Sequence, residues 1–119
     1  MQTAQYRLSV DATCALARAF VNGGCDVAID DVFEPDAFDR YWLPQLDGLD
    51  WKLVIVRPSL AETRARLAQR PKRVRDEHVR VQHERSGEWG DDVCIDTTGL
   101  DVEQSLALAL PRLEKRPQL

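Results

Sequence analysis

Asp26-Val27-Ala28-Ile29-Asp30-Asp31 is a short apolar run that ends in paired carboxylates and is entered from Asn22-Gly23-Gly24 at the close of a helical pattern. Such a run reads as a buried parallel strand that delivers acids to the carboxyl edge of a sheet. Two more apolar runs follow, Leu53-Val54-Ile55-Val56 and Val93-Cys94-Ile95-Asp96, each succeeded by a polar turn and a good helix start. Helix and strand therefore alternate, and that order predicts an α/β fold. The expected architecture is a three-layer parallel sheet of about three strands with about four to five flanking helices.

Outward from that stretch, residues 9–22 place Leu8, Ala12, Ala15, Leu16, Ala19 and Phe20 at helical spacing, which predicts an amphipathic helix lying on the sheet by that face. The pattern stops at Asn22-Gly23-Gly24, where a positive φ is cheap. Pro35 suits a first helical turn, and Phe38, Tyr41 and Trp42 give a short helix over 35–43 one apolar face. Beyond the strand at 51–57, Ser59 and Glu62 form a capping box whose helix runs to about Arg70 and stops before Pro71. A further helix is predicted over 75–85. Its stripe of Val74, Val79 and Val81 is too narrow for a core helix, so residues 70–90 are expected to project and move as a lid. After a strand at 92–96, Asp101 and Gln104 cap a last helix that presents Val102, Leu106, Ala109, Leu110 and Leu113 to the core, with Pro111 ending or kinking it.

The chain has 119 residues and is 44% hydrophobic, enough for one domain with a single modest core. Its net charge of -4 is uneven, because residues 64–85 hold eight of the sixteen Lys and Arg against three acids. A local anionic partner fits that asymmetry better than a protein that coats nucleic acid or a membrane surface. Cys14, Cys25 and Cys94 match neither a disulfide framework nor a CxxC metal spacing; they read as buried packing in a reducing cytoplasm. No apolar run approaches the roughly 20 residues that span a bilayer, and Met1-Gln2-Thr3 opens neither a signal nor a transit peptide.

Taken in order, these segments resemble the carboxyl-terminal two-thirds of a small P-loop kinase. Val27-Ala28-Ile29-Asp30-Asp31 stands as a Walker B-like strand, Val54-Ile55-Val56-Arg57-Pro58-Ser59-Leu60 as a strand leading into a helix, and Arg70-Pro71-Lys72-Arg73-Val74 as an arginine-bearing lid. Ile95-Asp96-Thr97-Thr98-Gly99-Leu100 corresponds to the loop beside the adenine. The likeness is to bacterial AAA-type ATP-binding proteins and to phosphotransferases near the gluconate kinase, chloramphenicol phosphotransferase and polynucleotide kinase groups. It implies an incomplete P-loop NTPase fold, ATP and Mg²⁺ as cofactors, and a small hydroxylated acceptor. No GxxxxGK[ST] is present, since none of Lys52, Lys72 and Lys115 follows a glycine and precedes Ser or Thr. That loop supplies most of a phosphate site, so a lone chain is expected to be inactive. The family's central strand is missing with it. Either strand 27–31 closes onto strand 53–57, or exposed backbone edges favour a homodimer or a second chain that carries the P-loop half. Met1 then marks an internal start, a truncated frame or one half of a split protein.

The resemblance makes Asp30 and Asp31 the metal ligands, Arg70 and Arg73 the groups that stabilise transferring charge, and Lys72, Thr97 and Thr98 nucleotide contacts. Each has a plainer reading. Acids at a strand's end can be solvated turn residues, a basic run can be a solvated helix face, and Thr-Thr-Gly before a helix can be capping chemistry. Glu34, Asp36 and Asp39 either border an acceptor site or begin a helix. His78 and His83 lie about 140° apart around a helix and read as surface residues rather than metal ligands. The alternative function is a non-catalytic dimerisation or protein-interaction module. Nucleic acid is not an expected partner, because the basic segment carries almost no aromatic side chains for stacking.

Overall fold

The structure, a computed structural model, describes residues 3–72 and 74–114. The three-layer parallel sheet expected from the sequence does not form among the described residues, of which helix accounts for 57% and strand for 4%. Among the described residues the sheet is one parallel pair, β1 (Ile55–Val56) with β2 (Cys94–Ile95). The chain divides into two compact units, Met1–Trp51 and Lys52–Leu119.

The first unit begins with α1 (Ala4–Asn22), whose N-cap Thr3 accepts a hydrogen bond from the Tyr6 amide at 3.1 Å. Gly23 donates to the carbonyls of Ala19 and Phe20, and Gly24 turns the chain away at φ 90°. Residues 25–34 then run without regular structure, and this is where the decisive strand was expected. Val27 is 41% exposed there. An apolar run becomes a strand only when a neighbour accepts and donates along its edge, and residues 27–31 have no ladder partner.

Pro35 opens α2 (Pro35–Ala37), which continues as a π-turn over Phe38–Trp42 and a 3₁₀ turn over Leu43–Leu46. The Leu43 amide reaches back to the Phe38 carbonyl, the widened turn. Pro44 has no N–H to continue that ladder, so the chain tightens instead of stopping at 43. The irregular helix carries the core of the unit. Phe33 meets Phe38 and Trp42 edge-on, with ring centroids 5.9 and 4.9 Å apart, and Trp42 donates its indole N–H to the Tyr6 hydroxyl at 3.2 Å. Against it α1 buries Val10, Cys14 and Ala17. The face predicted for α1 is the other one, and it lies open: Leu8 is 69%, Leu16 61% and Phe20 52% exposed.

In the second unit the parallel pair aligns Ile55 with Cys94 and Val56 with Ile95. Ile55 and Ile95 are buried, with Val79 of α4 (Asp76–Ser86). That helix and α3 (Leu60–Ala68) pack against each other, so the predicted lid helix contributes a side chain to the core. α5 (Val102–Glu114) begins with a complete capping box: the Asp101 amide donates to Gln104 Oε1 and the Gln104 amide to Asp101 Oδ1, at 3.0 and 2.8 Å. Pro111 sits inside the helix without ending it. The α5 residues expected in the core do not reach it, with Val102, Leu106, Leu110 and Leu113 all exposed.

Candidate functional site

The polar side chains of the second unit converge where β1 and β2 deliver the chain to their following loops. Beyond β2, Asp96 Oδ1 accepts from the Thr98 amide at 2.9 Å and from the Thr98 hydroxyl at 2.6 Å. These two bonds hold its carboxyl below the ordinary value of 3.8, the hydroxyl having the larger effect. Thr98 Oγ1 accepts in turn from the Ser59 amide at 2.7 Å, so this loop caps the helix that follows β1.

The expected capping box at Ser59 is therefore half formed. Ser59 Oγ accepts from the Glu62 amide at 3.1 Å, but Glu62 does not reciprocate. Its Oε1 accepts instead from the Gly99 amide and from Arg66 Nη2. Arg66 also donates to the carbonyl of Thr97 at 2.8 Å and to its hydroxyl at 3.3 Å. Thr97 is completely buried.

Beyond β1, Arg57 reaches across to α4. Its Nη2 and Nε donate to the His83 carbonyl at 3.0 and 3.2 Å, and Nε also donates to Ser86 Oγ at 3.0 Å. The His83 ring lies between two elements, with Nε2 2.9 Å from the Pro58 carbonyl and Nδ1 3.3 Å from Arg57 Nη2. A carbonyl oxygen can only accept and a guanidinium can only donate, so Nε2 carries the proton and Nδ1 is the acceptor. His83 is thus half-buried and bonded rather than a free surface residue. It helps fasten α4 to the β1–α3 turn, whereas His78 is exposed as expected. This pairing escaped the sequence reading because residues 57 and 83 are brought together only by tertiary packing.

The nucleotide residues expected from the resemblance fall into distinct surroundings. Thr97 and Thr98 stand side by side, but their hydroxyls serve Arg66, Asp96 and Ser59 within the unit. Arg70 and Lys72 are exposed beyond the end of α3, and Arg73 lies outside the described residues. Asp30 and Asp31 belong to the first unit and are exposed; Asp31 Oδ1 accepts from the Val32 amide at 2.7 Å. Magnesium takes near-octahedral oxygen coordination, and among the described residues no group of three or more His, Cys, Asp or Glu could hold a metal.

Asp30 instead lines a groove of about 440 Å³ with Asp26 and Ile29, against Leu16, Ala17 and Phe20 of α1. The groove was not legible in the sequence, because its wall is a segment that was read as a strand. The cysteines also divide. All three are free thiols; Cys14 is buried, Cys94 half-buried and Cys25 exposed, which corrects the reading of Cys25 as packing. Burial pushes the Cys14 and Cys94 thiols above their ordinary value.

Among the described residues no helix is long and apolar enough to cross a membrane. Comparison with protein-family models, with curated proteins and with solved structures finds no match to this chain.

Proposed function

We propose that this chain is a non-catalytic relative of ATP-dependent small-molecule phosphotransferases and acts by associating with another polypeptide. The observation that carries the association is the second apolar face of α1, where Leu8, Leu16 and Phe20 are each more than half exposed. Isolated apolar residues on a surface need no explanation, but a helical stripe of them marks a surface that is covered in use. The kinase relationship rests on the ordered motifs at 27–31, 54–60, 70–74 and 95–100. Phosphoryl transfer from ATP to a hydroxylated acceptor belongs to an assembly in which a second chain supplies a P-loop. In such an assembly the exposed Arg70 and Lys72 provide positive charge at the lid. Three free thiols fit a reducing compartment, and the cytoplasm is the proposed location.

Calorimetric titration of the purified chain with Mg-ATP, alongside light scattering across a concentration series, tests both halves. The expected result is no binding at micromolar strength together with a mass above that of one chain. Nucleotide turnover by the lone chain overturns the non-catalytic half. A monomeric mass at every concentration, with and without nucleotide, overturns the association.

A further inference from the structure

The groove beside α1 joins apolar walls to free carboxylates, and that combination names the chemistry of its occupant. Leu16 and Phe20 belong to one wall and Val27 and Ile29 to the other, whose stretch of chain begins at Asp26 and ends at Asp30. Among the described residues no Lys, Arg or His lines it, and neither carboxylate has a hydrogen-bond or ion-pair partner. Any surface that covers the apolar walls also strips water from Asp26 and Asp30, and a covered carboxylate without a cation beside it is unfavourable. The occupant therefore brings an apolar side chain flanked by Lys or Arg. The surrounding sequence has the same sign, since residues 26–50 hold eight acids against Arg40 alone.

The second unit carries a segment of that chemistry. Among the cations of residues 64–85, Arg64 pairs with Asp76 at 2.7 Å, Arg66 with Glu62 at 3.2 Å and Arg80 with Glu84 at 4.0 Å. Arg70, Lys72 and Arg75 are exposed in the connection between α3 and α4, and among the described residues their side chains have no partner. Val74, also exposed, stands between Lys72 and Arg75. Cation, apolar residue, cation answers the order of Asp26, its apolar neighbours and Asp30.

We infer that copies of this chain associate head to tail, the α3–α4 connection of one copy docking in the α1 groove of the next, with Lys72 and Arg75 against Asp26 and Asp30. This inference rests on the association half of the proposed function and specifies its partner and contact. The two contacting surfaces differ, so the contact is heterologous: each added copy brings a free groove or a free connection, and the assembly grows unless it closes into a ring.

Sedimentation velocity on the whole chain and its variants tests the contact, with circular dichroism to establish that each is folded. Asp26→Lys with Asp30→Lys reverses the charge of the groove at exposed positions and is expected to weaken self-association at least about a hundredfold while leaving helicity unchanged. Lys72→Ser with Arg75→Ser leaves the connection without those cations and is expected to weaken it about tenfold or more. Mixing the two variants is the decisive sample. The D26K/D30K chain keeps its connection and the K72S/R75S chain keeps its groove, so the mixture restores one contact and is expected to give a one-to-one complex that does not grow with concentration. Wild-type protein that stays monomeric at every concentration defeats the inference and the association reading together. Wild-type association that survives D26K/D30K, or a mixture that forms no one-to-one complex, defeats the head-to-tail contact while the association reading stands. Should D26K/D30K fail to fold, D26N/D30N, which removes the charges without reversing them, is expected to weaken association about tenfold and decides the same point.

Discussion

Arg57 shows how a single side chain holds one helix to the turn after a strand. Its guanidinium serves the His83 carbonyl, the His83 ring and the Ser86 hydroxyl at once. A Cβ at Gly87 would stand 2.8 Å from Nη2, so a larger residue there has to push the guanidinium aside. Arg57→Ala is expected to cost about 2 kcal/mol in urea denaturation, the scale of hydrogen bonds from a charged donor. Gly87→Ala displaces the same guanidinium and is expected to cost about 1 kcal/mol; the double variant should lose clearly less than the sum, because both changes remove one interaction. Strict additivity would mean that Gly87 matters for some other reason. Asp96 gives the pH-dependent counterpart. Its carboxyl is held low in the folded chain by Thr98, so the stability it adds is fully present above the ordinary value of 3.8 and is lost as the pH falls through its folded value. Wild type and Asp96→Asn should therefore differ in stability at neutral pH and converge in acid. A constant difference across an acid titration would assign Asp96 no linked role.

At the scale of elements, the starts of three helices were the legible part. Ser59, Asp101 and Pro35 each carry a local rule, and the helices begin beside them because capping and φ restriction act within one turn of chain. The faces of those helices were not legible. α1 is apolar on two sides, so periodicity alone could not say whether Leu16 or Val10 is buried. The structure buries Val10 and exposes Leu16. In chemical denaturation at concentrations dilute enough for a monomer, Val10→Ala is expected to cost about 2 kcal/mol and Leu16→Ala no more than about 0.5 kcal/mol. The reverse order would restore the face chosen from the sequence. The half-formed box at Ser59 has a similar cause. Glu62 has two better placed partners, Arg66 one turn later and the Gly99 amide 37 residues on, and a tertiary contact redirects a local one. Strands were legible only as apolar runs. The runs at 55–56 and 94–95 found each other and pair, whereas residues 27–31 found no partner.

For the whole molecule the decisive property is how much apolar surface stays open. Leu8, Leu16 and Phe20 of α1 and Val102, Leu106, Leu110 and Leu113 of α5 are all exposed. Among the described residues, nonetheless, no buried side-chain nitrogen or oxygen lacks a partner. Under the proposed association, these apolar stripes are the surface that a partner covers. The Mg-ATP titration and the mass measurement belong at this scale, because neither a motif nor a single helix predicts their outcome. The sequence by itself determined the starts of α2, α3 and α5, the Gly23-Gly24 stop, the charge excess over 64–85 and the lack of a P-loop, all of which depend on neighbours along the chain; α1, expected from residue 9, begins at Ala4. Only the tertiary structure decided that residues 26–31 stay out of a sheet, that α1 buries Val10 rather than Leu16, and that His83 joins Arg57. Those outcomes depend on which distant group arrives to accept a hydrogen bond or exclude water, and local pattern carries no record of it.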